Sequence, residues 1–137
     1  MDINELTSKI IKAAMAVHNT IGPGLLESAY QECLRMELED MGLRIQQEVP
    51  VPVVYKDKEV TQDGFRIDLL VENTVILELK SVEEVKAVHK KQLLTYLRLM
   101  RKPVGLLINF NEVLLKNGIT RIINDIRSAP QGAESLP

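Results

Sequence analysis

Near the start of the chain, apolar residues recur at helical spacing. Leu6, Ile10, Ala13, Ala14 and Val17 share one face, with Asn4 placed as a cap, which predicts a helix to about Asn19. Gly22-Pro23-Gly24 interrupts it. A broader stripe through Leu26, Ala29, Tyr30, Cys33, Leu34, Met36 and Leu38 predicts a second helix from about Leu25 to Met41, with Gly42 as its C-cap. The period then changes. Over residues 44–55, Val49, Val51 and Val53 alternate with polar or proline positions, which reads as a strand, and Pro50 and Pro52 assign it to a sheet edge. Lys56-Asp57-Lys58 turns the chain. Residues 65–71 and 74–80 are two further strands around a tight turn at Glu72-Asn73. Residues 85–100 form a third helix, stopped before Pro103. Residues 104–110 are almost continuously apolar, as expected of a central strand. A short strand or helix over 119–126 closes the domain, and 128–137 read as a frayed, polar tail.

The predicted order is ααβββαβ. The step from 74–80 through a helix to 104–110 is a βαβ crossover, whose two strands should be parallel. The hairpin before it should be antiparallel. The fold class is therefore α/β: a mixed sheet flanked by helices, in one domain covering residues 1–127.

Composition narrows this picture. A chain of 137 residues, 45% hydrophobic and 26% charged, suits one ordinary globular domain. No apolar run approaches the roughly 20 residues that span a bilayer, so no membrane partner is expected. The opening MDINELTSK is acidic and amphipathic, unlike a signal peptide. Cys33 is the only cysteine, which excludes a disulfide framework or a cysteine-based zinc site within one chain. These features together imply a cytoplasmic protein. The net charge of −2 argues against a general nucleic-acid coat. Yet residues 85–111 contain no Asp or Glu and carry Lys86, Lys90, Lys91, Arg98, Arg101 and Lys102. Taken alone, that stretch reads as a solvated helix face.

Three charges in apolar strands carry the candidate chemistry. Asp68 interrupts Phe65–Val71, and Glu78 and Lys80 lie in the next strand. Glu78 and Lys80 are two apart and share a face. Asp68 joins them only if it pairs opposite Glu78, which needs an odd loop, most simply Glu72, Asn73 and Thr74. A two-residue turn would pair Asp68 with Leu77 instead. Carboxylates so placed repel unless a cation lies between them, and hard oxygen donors suit Mg²⁺ or Mn²⁺. A bare D…ExK pattern alone reads better as a surface salt bridge.

The wider pattern reverses that judgement. Gly24-Leu25-Leu26-Glu27-Ser28-Ala29-Tyr30 reads G-x-x-E-x-x-Y, and Gln92-Leu93-Leu94-Thr95-Tyr96 reads Q-x-x-x-Y. With Asp68, Glu78 and Lys80 between them, the chain from about residue 4 to 126 resembles the GxxExxY family of the PD-(D/E)XK nuclease superfamily. The position before Asp68 is Ile67 rather than proline, a departure that removes no reacting group. The resemblance implies a restriction-endonuclease-like core. It implies Asp68, Glu78, the Leu79 carbonyl and Glu27 as metal ligands, with Lys80 positioning the attacking water. Gln92 and Tyr96 would support the site or contact nucleic acid, as would Lys90 and Lys91. Gly24 would let the chain turn into the second helix. Tyr30 is expected to pack and His89 to be solvated.

The expected activity is divalent-metal-dependent hydrolysis of nucleic-acid phosphodiesters, with DNA favoured over RNA. The alternative is a catalytically silent module on the same fold that binds nucleic acid or a protein. With no Trp and two Phe, extensive base stacking is not expected, which favours backbone recognition. No interface for a homo-oligomer is legible.

Overall fold

The computed structural model describes residues 1–61 and 64–125. The first helix, α1 (Ile3–Ile21), starts two residues earlier than a cap at Asn4 implies. Asp2 rather than Asn4 caps it, its side chain accepting from the Glu5 N–H at 2.8 Å. Helix α2 (Glu27–Asp40) begins two residues later than expected and has no side-chain cap at Leu26. Met41 is its C-cap, and Gly42 follows with φ +82°, the left-handed turn that ends the helix.

The stretch expected as one strand is divided. Strand β1 (Ile45–Val51) joins the main sheet, while β2 (Val54–Tyr55) and β3 (Lys58–Glu59) form a separate small hairpin. Pro52, between β1 and β2, explains the division, because it cannot donate to a ladder. Strands β4 (Phe65–Val71) and β5 (Val75–Lys80) follow, then α3 (Ala87–Met100) and β6 (Val104–Asn109). A 3-10 turn at Leu115–Gly118 leads into β7 (Ile119–Ile123), which settles the closing element as a strand.

The five-stranded sheet has the order β1-β4-β5-β6-β7. Strand β1 is an edge, as its Pro50 requires. Strand β6 is interior and buried along its whole length, but β5 holds the centre. Strands β5 and β6 are parallel, and the other neighbours are antiparallel. This is the mixed α/β sheet expected from the crossover.

Two apolar layers cover the sheet. Helices α1 and α2 pack on one face through residues such as Ile10, Ala14, Tyr30 and Leu34. Helix α3 packs on the other through Leu93, Tyr96 and Leu97. It approaches β6 closely at Gly105, where an added Cβ would lie 2.9 Å from the Leu93 side chain. The expected tail at 128–137 lies outside the described residues, as does Ile126.

The alternation of faces fails at one place. Ile45 packs under α1 and α2, whereas Val49 and Val51 pack under α3. All three are odd-numbered and would share a face in a regular strand. In β4, Leu69 and Val71 face α1 and α2, while Ile67 faces α3. The register places the two reversals opposite one another, since Gln47 pairs with Leu69 and Val49 with Ile67. Between them stand Glu48, with φ +51°, and Asp68. A left-handed Glu inside a strand is costly, on the order of 1–2 kcal/mol. The sheet carries that fault where its charged residues gather.

Candidate active site

The β4–β5 loop is the three-residue Glu72, Asn73, Thr74 that the facing of Asp68 requires. Glu72 and Asn73 are both left-handed, with φ +51° and +52°, and the Thr74 N–H donates to the Val71 carbonyl at 2.9 Å. Val71 then pairs with Val75, Leu70 with Ile76 and Leu69 with Leu77. The next position in that register sets Asp68 opposite Glu78.

There the side chains take over from the ladder. The Asp68 N–H donates to Glu78 Oε2 at 3.0 Å, and the Leu79 N–H donates to Asp68 Oδ2 at 2.7 Å. Each carboxylate is thus held by the backbone of the other strand. Glu78 is buried and Asp68 half-buried. Burial, and then the charge of Asp68, pushes the Glu78 carboxyl up to about 8. Burial also raises Asp68, opposed chiefly by the bond from the Leu79 amide. The two groups strain against sharing negative charge without a counter-ion.

Half-buried Lys80 follows on the same strand, and its charge favours ionisation of both carboxylates. Among the described residues it closes no ion pair with either, so the surface salt bridge is not what forms. Asn109, 1% exposed, fixes the chain just beyond. It accepts from the Val82 N–H at 3.1 Å and donates to the Val82 carbonyl at 2.9 Å.

Both layers reach the pair. From α3 comes buried Tyr96, whose phenol is raised by burial and then by the charges of Glu78 and Asp68. Its ring lies 6.0 Å from Phe65. Gln92, Lys90 and Lys91 are exposed on the same helix. His89 is more than a solvated side chain, because its Nδ1 accepts from the Lys86 N–H at 3.0 Å and closes the first turn of α3.

From α2 comes Gln31. Its Nε2 donates to Glu48 Oε2 at 2.9 Å and to the Asp68 carbonyl at 3.4 Å. Glu27 lies one turn earlier on that helix, on the same side of it as Gln31. Glu27 is exposed. Among the described residues, no group of three or more His, Cys, Asp or Glu is placed to hold a metal ion, so Asp68 and Glu78 stand as a pair.

Gln31, Glu48 and Asn109 escaped the sequence reading. Gln31 had a signal, its i+4 relation to Glu27. Glu48 had none, because the register of β1 on β4 depends on a long connection that carries no turn signature.

The donor set fits a hard divalent cation. Two carboxylates from adjacent strands, both raised above their ordinary range, supply oxygen ligands and gain most from a positive charge between them. Among the described residues, no helix is long and apolar enough to cross a membrane.

Neither curated proteins nor solved structures gave a match to the chain. The model of the PD-(D/E)XK nuclease superfamily matches residues 4–122, which include both carboxylates, Lys80, Glu27, Gln92 and Tyr96. Members of that superfamily generally use divalent metals and act on nucleic acids. With the mixed sheet and the paired carboxylates in place, the chain belongs to the PD-(D/E)XK nuclease superfamily.

Proposed function

We propose that the protein is a divalent-metal-dependent nuclease of the GxxExxY branch, cutting DNA in preference to RNA. The observation that carries this is the Asp68–Glu78 pair, cross-held by the two strand backbones and short of positive charge. Asp68 and Glu78 would hold Mg²⁺ or Mn²⁺, with the Leu79 carbonyl and Glu27 completing the ligands. Bound there, the ion supplies Lewis acidity for the attacking water and the scissile phosphate.

The chain's own groups do the rest. The Lys80 ammonium holds the attacking water or a phosphate oxygen beside the carboxylates. The Tyr96 hydroxyl, at the rim of the α3 layer, orients the phosphate. Lys90, Lys91 and Gln92 lie exposed along α3 to receive the backbone. The unpaired Cys33 supports a reducing, cytoplasmic setting.

A panel of single-stranded, duplex and branched DNA and RNA, with Mn²⁺, Mg²⁺ or EDTA, tests this. Cleavage should require the ion and fall to background in Asp68→Ala. Binding that persists in EDTA without turnover would replace the enzyme with a binding module.

A further inference from the structure

The turn that leads into the exposed acid of the helical motif is held by residues that take no part in chemistry. Helix α2 starts at Glu27 without a side-chain cap, since Leu26 occupies that position. Something else must fix the start, and two hydroxyls do so. Tyr30, fully buried, donates its Oη–H to the Gly22 carbonyl at 2.5 Å and accepts from the Leu25 N–H at 3.2 Å. Its ring stacks on Phe110, with centroids 4.5 Å apart and planes 6° apart. Ser81, the residue after Lys80, donates to the Leu25 carbonyl at 2.6 Å.

We infer that Tyr30 and Ser81 are positioning residues that hold Glu27 at the Lys80 end of β5. Tyr30 gathers both ends of the Gly22–Leu25 turn onto one oxygen. The chain at Gly22 and Gly24 is left-handed, with φ +77° and +109°, and has no conformation of its own to impose. Ser81 then ties that turn to the strand carrying Glu78 and Lys80. The spacing of the motif follows from this. A Tyr three residues after the Glu lies one helical turn on, with its ring in the core and its hydroxyl reaching back beneath the turn that presents the Glu. Tyr30 lies one turn below Glu27 on the same side of the helix, buried where Glu27 is exposed at the helix start.

Because the role of Glu27 belongs to the nuclease reading, two readouts separate the claims. Tyr30→Phe keeps the stacked ring and removes only the hydroxyl. Mn²⁺ binding, measured by calorimetry, should weaken by about tenfold in Tyr30→Phe, as for loss of a residue that orients a ligand. It should weaken no further when Tyr30→Phe is added to Glu27→Gln. Ser81→Ala should behave in the same way. Wild-type affinity in Tyr30→Phe, or an undiminished loss in the Glu27→Gln background, would overturn the positioning role.

Hydrogen exchange is independent of any metal. The Leu25 amide and the first-turn amides of α2 should exchange faster in Tyr30→Phe than in wild type, and equal rates would overturn the clamp. Failure of the wild type to bind Mn²⁺ would contradict the nuclease reading alone, and exchange would then judge the clamp.

Discussion

Glu78 is the residue on which the site's chemistry turns. Its carboxyl ionises at an ordinary 4.5 in an unfolded chain and is pushed up to about 8 in the fold. Between those values the folded chain keeps a proton that the unfolded chain has released. Stability of the metal-free protein should therefore fall as pH rises from 4.5 to 8, by on the order of 2–4 kcal/mol. Urea midpoints at pH 5 and pH 8.5 check the sign, and Glu78→Gln should remove most of the slope. A wild-type midpoint that rises with pH would contradict it. A bound cation opposes the same effect, so added Mn²⁺ should stabilise most at the alkaline end. The importance of Asp68, Glu78 and Lys80 was legible in the sequence, because charges in apolar strands demand an explanation. The place of Glu48 was not. Its relation to Asp68 exists only once β1 has paired with β4, and its left-handed backbone leaves no mark on composition.

At the scale of elements, the hairpin was the most readable part. The facing of Asp68 and Glu78 required an odd loop, and Glu72, Asn73 and Thr74 supply it. The three helices were legible from apolar period, with ends shifted by a residue or two where caps compete. At α1, Asp2 outcompetes Asn4 for the cap. The small β2–β3 hairpin was hidden inside an alternating stretch whose prolines signalled an edge but not where the strand would part. Packing between elements was illegible, and it can be tested at Gly105. An added methyl there meets the Leu93 side chain at 2.9 Å, so Gly105→Ala makes the buried Leu93 repack or α3 shift from β6. Overpacking of this kind should cost about 1–3 kcal/mol, read from urea denaturation. Because Tyr96 rides on the same helix, cleavage should fall as well. Full activity and unchanged stability would show that Leu93 yields without moving the helix.

For the whole molecule, the balance of charge matters more than its sum. The net charge of −2 hides an acid-free stretch over residues 85–111, much of it on the helix beside the carboxylates. Nucleic acid approaching the site would meet Lys90 and Lys91 there, both exposed. Replacing both by Glu should weaken binding across sequences and reduce the salt slope by about 1 for each phosphate no longer neutralised. Thermal stability should not change, since neither side chain closes an ion pair among the described residues. An unchanged slope would move the nucleic-acid path away from α3. The central claim is that Asp68 and Glu78 share a divalent cation, and the most direct measurement is anomalous diffraction from a crystal soaked in Mn²⁺. One peak bridging the two carboxylates is the expected result, and occupied Mn²⁺ sites elsewhere with none at this pair would contradict it.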